Sequence, residues 1–394
     1  MKYLFILSGD FIDLAKEEVL NLFDVKDFKI VDRLLIVDLN DDKKLLNRLS
    51  ERLALTKRIY KLLFECKINE LIKTLKNFDW NSIYKDNFCL RIYYFNNNKI
   101  FNKKISNKKL NQKTKTTSEC KRDGSNPFVN HLLQYQEKDL AKYIWRSVNN
   151  PKVDLENPKT KIEIFIVNES AFCCLLLFIN NENFEIRKSH LRPFPHPSSL
   201  HPKLAKALIN ITGIKDVRTE FGTTYGGNEK LLDPFCGTGG FLIEAGLMGI
   251  KCVGFDINKE MIKGCKENLN YFRIKNYEIF NVNALEIFHR FDYVVTDLPY
   301  GLNSNVILKY EKDWTKHRLN KKIQKKNFQV ELENFYLKFL INLRKIMMGK
   351  AVIIFPDYVD YKKLITKSKL SLEKEFSVYV HRSLTRKIAL LKNQ

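Results

Sequence analysis

Apolar and polar positions alternate along this chain with two periods, one close to two residues and one close to 3.6. Residues 2–7 are mostly apolar and read as a strand, while 11–23 carry apolar positions at the three- and four-residue spacing of an amphipathic helix. Residues 28–31 and 34–39 read as strands around an Asp32-Arg33 turn, 45–55 as a helix and 59–66 as an extended run. This β-α-β-β-α-β order predicts a ferredoxin-like domain over residues 1–70. A helix is expected at 68–77, a strand at 88–95, a helix at 132–149 and two strands at 161–167 and 171–178, together filling residues 71–180. Residues 181–212 read as a linker that is rich in Pro and His from 187 and ends in a helix opening at Pro202. Over 213–394, strand-like runs at 231–233, 251–256, 277–282, 291–297 and 351–355 alternate with helical periods at 241–246, 258–272 and 330–347. The alternation predicts an α/β unit with a Rossmann-like sheet, closed by an antiparallel pair at 376–381 and 388–391.

The first strand-to-helix turn of that sheet carries Asp233, Pro234, Phe235, Cys236, Gly237, Thr238, Gly239 and Gly240. Glycines there tolerate positive φ and remove the Cβ that would keep a ligand from the backbone, and the helix behind them offers free N–H groups. The next strand ends in Asp256, at the position where a Rossmann-like sheet places an acid against a ribose. Phe241 stands where a dinucleotide fingerprint needs its third glycine, so the pattern suits a nucleoside cofactor without a pyrophosphate. A later strand ends in Asp297, followed by Leu298, Pro299 and Tyr300. An acid, a carbonyl fixed by proline and an aromatic face at a sheet's carboxyl edge can receive a planar amine.

Composition narrows the class of partner. Lys and Arg exceed Asp and Glu by 68 − 45 = 23 in 394 residues, which predicts affinity for a polyanion and puts nucleic acid ahead of an anionic membrane. The longest apolar stretch, residues 171–179, is half of what a bilayer span needs, and no cleavable signal pattern stands at the start, so a cytoplasmic protein is expected. Eight cysteines without a C-x-x-C pair read as reduced thiols. His190, His196 and His201 share no helical face, and no metal is expected. Two basic tracts, 99–122 and 302–327, are placed to contact phosphates; the second includes Lys309, Lys312, Lys316 and Arg318.

Asp233-Pro-Phe-Cys-Gly-Thr-Gly239, Asp256 and Asp297-Leu-Pro-Tyr300 together resemble motifs I, II and IV of S-adenosylmethionine-dependent amino-methyltransferases. Arg192-Pro-Phe-Pro-His-Pro-Ser-Ser-Leu-His-Pro-Lys-Leu-Ala205 resembles the segment before motif I in archaeal tRNA guanine-N2 methyltransferases that carry a THUMP domain, nearest to the subgroup acting on guanine 10. The resemblance spans about residues 130–394, and Val153-Asp-Leu-Glu-Asn-Pro158 with the paired strands after it resembles the end of a THUMP domain. It implies a Rossmann-like methyltransferase sheet after the ferredoxin-like and THUMP domains, with S-adenosyl-L-methionine as cofactor. The partner it implies is tRNA, with no membrane and no metal, acting either as a monomer or with a small activating subunit as in eukaryotic relatives. The implied cofactor residues are Asp233, Pro234, Phe235, Cys236, Gly237, Thr238, Gly239, Asp256, Ile257, Asn283 and Ala284; Arg192, Ser198 and Ser199 are candidates to pack over them. Asp297, Leu298, Pro299 and Tyr300 are the implied catalytic set, transferring one or two methyl groups to guanine N2. Two positions depart from the family pattern: Asn283 stands where an Asp is common, and Leu298 where most relatives have proline. Guanine at another tRNA position such as 6, guanine in ribosomal RNA, adenine in DNA, and a non-catalytic RNA-binding paralogue are the competing readings.

Overall fold

The computed structural model describes residues 1–40, 43–96, 99–101, 136–197, 199–215, 217–218, 224–225, 229–300, 321–382 and 384–394. The chain divides into two compact units, one of residues 1–12, 26–50 and 56–180, the other of 13–25, 51–55 and 181–394.

The sheet of the first unit has the order β2-β3-β1-β4-β8-β7-β5-β6. Its strands are β1 (Lys2–Leu7), β2 (Phe28–Val31), β3 (Leu34–Asp38), β4 (Thr56–Lys67), β5 (Phe88–Asn96), β6 (Lys99–Phe101), β7 (Thr160–Val167) and β8 (Ser170–Ile179). With helices α1 (Ile12–Phe23) and α2 (Lys43–Arg52), the first four strands keep the expected β-α-β-β-α-β order, and β2-β3-β1-β4 is the antiparallel ferredoxin-like arrangement. The strands of residues 1–70 and 71–180 share one sheet, because β4 pairs with β8 from Arg58–Ile179 to Lys67–Ser170. Helices α3 (Leu71–Asn77) and α4 (Glu137–Trp145) cover one face through Leu71, Leu75, Leu140 and Ile144. β5 and β7 run parallel, and β7 is buried on both faces, which explains why its residues 162–167 are apolar at every position but one. The one acid in that run, Glu163, is fully buried and accepts from Arg58 at 3.0 and 3.2 Å and from the Tyr60 hydroxyl at 2.5 Å. Most of the first basic tract lies outside the described residues.

In the second unit, helix α5 (Pro202–Ile211), with His201 as its N-cap, packs beside residues of α1 and 51–55. The buried Glu18 carboxylate accepts from the N–H groups of Ala54 and Leu55 and from Asn210, each at 2.8 Å. A short pair, β9 (Val217–Arg218) and β10 (Thr224–Tyr225), precedes the main sheet. That sheet is built from β11 (Lys230–Asp233), β12 (Lys251–Phe255), β13 (Tyr277–Phe280), β14 (Tyr293–Asp297), β15 (Lys350–Pro356), β16 (Leu370–His381) and β17 (Leu384–Asn393), in the order β13-β12-β11-β14-β15-β17-β16. β11 to β15 are parallel, and β17 runs antiparallel to both β15 and β16. Helices α6 (Gly240–Leu247), α7 (Lys259–Tyr271), α8 (Lys321–Ile346) and α9 (Tyr361–Ser368) complete the Rossmann-like unit. One core joins α8 residues Tyr336, Phe339, Leu340 and Leu343 to Leu232, Val294 and Ile353.

Three of the differences from expectation lie around the closing part of the main sheet. β16 starts six residues early, because 371–375 are polar except for Leu372 and a strand at a sheet edge leaves such polar positions in water. α9 was not expected; Asp360 caps it by accepting from Lys363 N at 3.2 Å. α8 begins at Lys321, within the second basic tract, whose residues 302–320 lie outside the described residues. Among the described residues, no helix is long and apolar enough to cross a membrane.

Candidate functional site

The parallel strands bring Asp233, Asp256 and Asp297 to one edge of the sheet, at the carboxyl ends of β11, β12 and β14. Chain order reverses at β11, whose neighbours β12 and β14 lie on opposite sides, and ligands of open α/β sheets bind at such a switch point. Gly237 and Gly239 take φ of +49° and +87°, and a Cβ added to Gly237 would meet no atom within 4 Å. The turn is therefore bent by glycine and open on its outer side. Asp256 Oδ2 accepts from Gly237 N at 3.0 Å and Oδ1 from Asn258 N at 2.8 Å, while burial pushes its carboxyl upward. Each oxygen keeps a second lone-pair direction for a ligand hydroxyl. Ile257, beside it, remains 38% exposed, an apolar surface suited to a planar ring.

The other residues of the turn face inward. Asp233 is buried and accepts from Thr296 Oγ1 at 2.7 Å and Phe235 N at 3.2 Å; burial pushes its carboxyl up to about 7. Cys236 buries its thiol, and Phe235 sets its ring edge-on to Phe339 with centroids 5.0 Å apart. Thr238 is buried, its hydroxyl 3.2 Å from that of Ser199. Asn283 caps a turn at Ala284–Glu286, its Oδ1 accepting from Leu285 N at 3.0 Å, which leaves that oxygen one further acceptor direction. Ala284 is buried below it. The open glycine turn, the Asp256 carboxylate and the exposed Ile257 fit the nucleoside end of S-adenosylmethionine.

Across the switch point, the Asp297 side chain is 21% exposed. Tyr300 donates its hydroxyl to Asp297 Oδ1 at 2.5 Å, and Arg386 Nη2 stands 3.4 Å from Oδ2. Burial pushes the Asp297 carboxyl up to about 6 against the opposing pull of Arg386 and Tyr300. Leu298 buries its side chain and donates its N–H to Ile354 O at 3.2 Å. Among the described residues, no group of three or more His, Cys, Asp or Glu could hold a metal ion. Ser198 lies outside the described residues.

The RMKL-like, methyltransferase domain family matches residues 189–306. A probable tRNA (guanine(10)-N2)-dimethyltransferase of Methanothermococcus thermolithotrophicus is 30% identical over 200 residues, 48% of this chain and 98% of that protein. The chain belongs to the tRNA (guanine(10)-N2)-dimethyltransferase family. A further relative of that name, from Methanothermobacter thermautotrophicus, is 34% identical over 245 residues, 61% of this chain and 63% of that protein. One from Pyrococcus abyssi is 27% identical over 259 residues, 64% of this chain and 68% of that protein. The matched stretch thus spans less than two thirds of the Methanothermobacter protein's length.

In this member of the dimethyltransferase family, several residues that sequence reasoning passed over shape the site. Asn268, fully buried on α7, accepts from Phe194 N and donates to Phe194 O and Thr238 O, each at 3.0 Å, and so ties the 192–199 segment to the glycine turn. The buried pair of Arg187 with Glu244, at 2.9 and 2.8 Å, ties the residues just before that segment to α6. Arg192, which the sequence did single out, is buried and donates Nε to Arg187 O at 2.9 Å. Tyr336 and Tyr358 donate to the carbonyls of Pro299 and Tyr300 at 2.7 and 2.6 Å. A polar residue at a core position of an amphipathic helix was the available signal for Asn268 and Tyr336. Arg386 gave no such signal, since only pairing of β17 with β15 carries it to β14.

Proposed function

We propose that the chain methylates the exocyclic N2 of a guanine in tRNA, at position 10, using S-adenosylmethionine. The observation that carries this reading is the Asp297-Leu298-Pro299-Tyr300 turn, with its carboxylate at the switch point beside the open glycine turn, in a chain of this family. Asp256, Ile257, Gly237, Asn283 and the backbone of 234–239 would hold the cofactor, which supplies a methyl group on a sulfonium. The guanine amino group is a weak nucleophile because its lone pair is delocalised into the ring. Asp297 accepts one of its N–H bonds and takes the proton as positive charge develops on nitrogen. The Leu298 carbonyl accepts the other, with Pro299 fixing its direction. Tyr300 offers a ring face to the base, which must leave its stack to reach the pocket.

Within the first unit, residues 71–180 serve as a THUMP-like tRNA-binding part after the ferredoxin-like residues 1–70; residues 181–212 link them to the methyltransferase part, 213–394. The net charge of +23 supports a tRNA partner, and the reaction is assigned to the cytoplasm. The test is methyl transfer from labelled S-adenosylmethionine to unmodified tRNA transcripts, with nucleoside mass spectrometry and mapping of the product. N2-methylguanosine or its dimethyl form at position 10, made by the chain alone, is the expected result and would dispense with an activating subunit. Product at position 6 would move the address, as in a 22% identical tRNA (guanine(6)-N2)-methyltransferase from Methanocaldococcus jannaschii. Tight tRNA binding without product, even with a partner subunit added, would overturn the catalytic reading.

A further inference from the structure

We propose that Arg386 is a positioning residue for methyl transfer, closing a ring of hydrogen bonds that fixes the Asp297 carboxylate and the Tyr300 phenol toward the amine and keeps the carboxylate an acceptor. The inference rests on the reading of Asp297 as the group that accepts from the guanine amine.

The donors and acceptors of the ring have a single consistent direction. Tyr300 gives its proton to Asp297 Oδ1 at 2.5 Å, so its oxygen is left to accept from Arg386 Nε at 3.2 Å, and Arg386 Nη2 closes the ring 3.4 Å from Asp297 Oδ2. Both carboxylate oxygens are thus held from the protein side, each with lone-pair capacity remaining for an N–H of the base. A guanidinium suits this task because its planar fork reaches two acceptors at once and stays charged at any working pH.

Sheet register delivers Arg386 to this point. Asp297 on β14 lies opposite Ile354 on β15, and Arg386 on β17 lies opposite Pro356, two residues further along β15. Residues two apart share a face, so the guanidinium comes over β15 to the end of β14; a slip of one residue would turn it to the other face. Tyr336 and Tyr358 hold the next two carbonyls of the same loop, so three separate elements fix the turn.

Among the described residues, the titratable groups around Asp297 are Arg386 from β17 and Tyr300 from its own loop, which pull its carboxyl down, and Asp233 from β11 and Tyr336 from α8, which its charge pushes up. Of these, only Arg386 is a cation. Its loss leaves a carboxylate in poor solvent beside another acid, and the proton is then held to higher pH. A protonated Asp297 presents a donor where the amine needs an acceptor.

The experiment is single-turnover methyl transfer to tRNA against pH for the wild type, Arg386→Gln, Arg386→Lys and Asp297→Asn, with S-adenosylhomocysteine affinity measured for each. Carboxyl-labelled aspartate NMR, with Asp297→Asn identifying the signal, follows the same titration without turnover. Arg386→Gln should move the acid limb and the Asp297 titration upward by about one pH unit or more while cofactor affinity stays unchanged. Arg386→Lys should keep the midpoint near the wild type with a lower plateau, because an ammonium lacks the planar fork. An Arg386→Gln profile that superimposes on the wild type, or a lower plateau with no movement of either midpoint, overturns the proposal. A wild-type chain that makes no product overturns the methyl-transfer reading instead, and the labelled-carboxyl titration then decides the Arg386 contact by itself.

Discussion

Gly264→Ala should destabilise this protein, although alanine inside a helix is ordinarily better than glycine by about 1 kcal/mol. Gly264 lies in α7, and a Cβ placed there would come within 2.3 Å of Phe194 Cδ1 and 2.4 Å of Cγ. The ring cannot simply retreat with its backbone, because Asn268, one turn further along the same helix face, holds both Phe194 N and Phe194 O at 3.0 Å. Overpacking of this kind costs about 1–3 kcal/mol, so the net change is a loss of up to about 2 kcal/mol, and each kcal/mol lowers the melting temperature by about 2–4 °C for a domain of this size. Because the 192–199 segment also meets the glycine turn through Ser199 and Thr238, S-adenosylhomocysteine affinity should fall as well. The decisive assay is a double-mutant cycle with Phe194→Ala, read by thermal unfolding. Once the ring is gone, Gly264→Ala should stabilise by about 1 kcal/mol, recovering the helix preference. Stabilisation by Gly264→Ala with Phe194 present would refute the argument.

Asp256→Ala should weaken S-adenosylhomocysteine binding by about 10- to 100-fold, since it removes the acceptor of Gly237 N and Asn258 N and the carboxylate assigned to the ribose, and calorimetry would show it; unchanged affinity would count against that assignment. Asp297→Ala should abolish methyl transfer while cofactor affinity survives, and undiminished transfer would remove Asp297 from the mechanism. Burial raises the Asp233 carboxyl from its ordinary 3.8 to about 7, so the folded state binds its proton more tightly than the unfolded chain does. The resulting stabilisation is full below about pH 4 and lost as pH rises through about 7. Melting temperatures of the wild type should therefore fall relative to Asp233→Asn across that window, and parallel curves would show that Asp233 does not titrate there.

The fold was legible wherever local pattern and tertiary demand agreed. The ferredoxin-like order of residues 1–70 follows from short apolar runs separated by an amphipathic helix, and the β11 to β15 series from strand-length runs each ending in an acid or a turn. Boundaries failed where a strand met water: apart from Leu372, residues 371–375 are polar like a loop, yet the segment pairs with β17 because the edge position lets the polar side chains stay solvated. The pairing of β4 with β8, which joins residues 1–70 to 71–180 in one sheet, leaves no local signature, since both strands would look the same in separate sheets.

The candidate site shows the same division between what is local and what is not. Turn residues such as Gly237 and strand-end acids such as Asp256 are set by a few neighbouring residues, so motif spacing reaches them. The groups that hold those acids and the segment beside the glycine turn come from distant parts of the chain: Arg386 stands 89 positions after Asp297, and Asn268 stands 74 after Phe194. Their identity depends on register and on helix phase, which a run of apolar letters does not encode. Asp233 makes the point most sharply. Its place at the head of the glycine turn reads as a ligand contact, yet the carboxylate turns inward to Thr296 and Phe235 N and fixes the loop on which the ligand contacts depend. A residue at the head of the turn can therefore fix the turn as well as contact what the turn holds, and the two roles separate by measurement. Loss of Asp233 should show chiefly in how stability varies with pH, whereas loss of Asp256 should show chiefly in cofactor affinity.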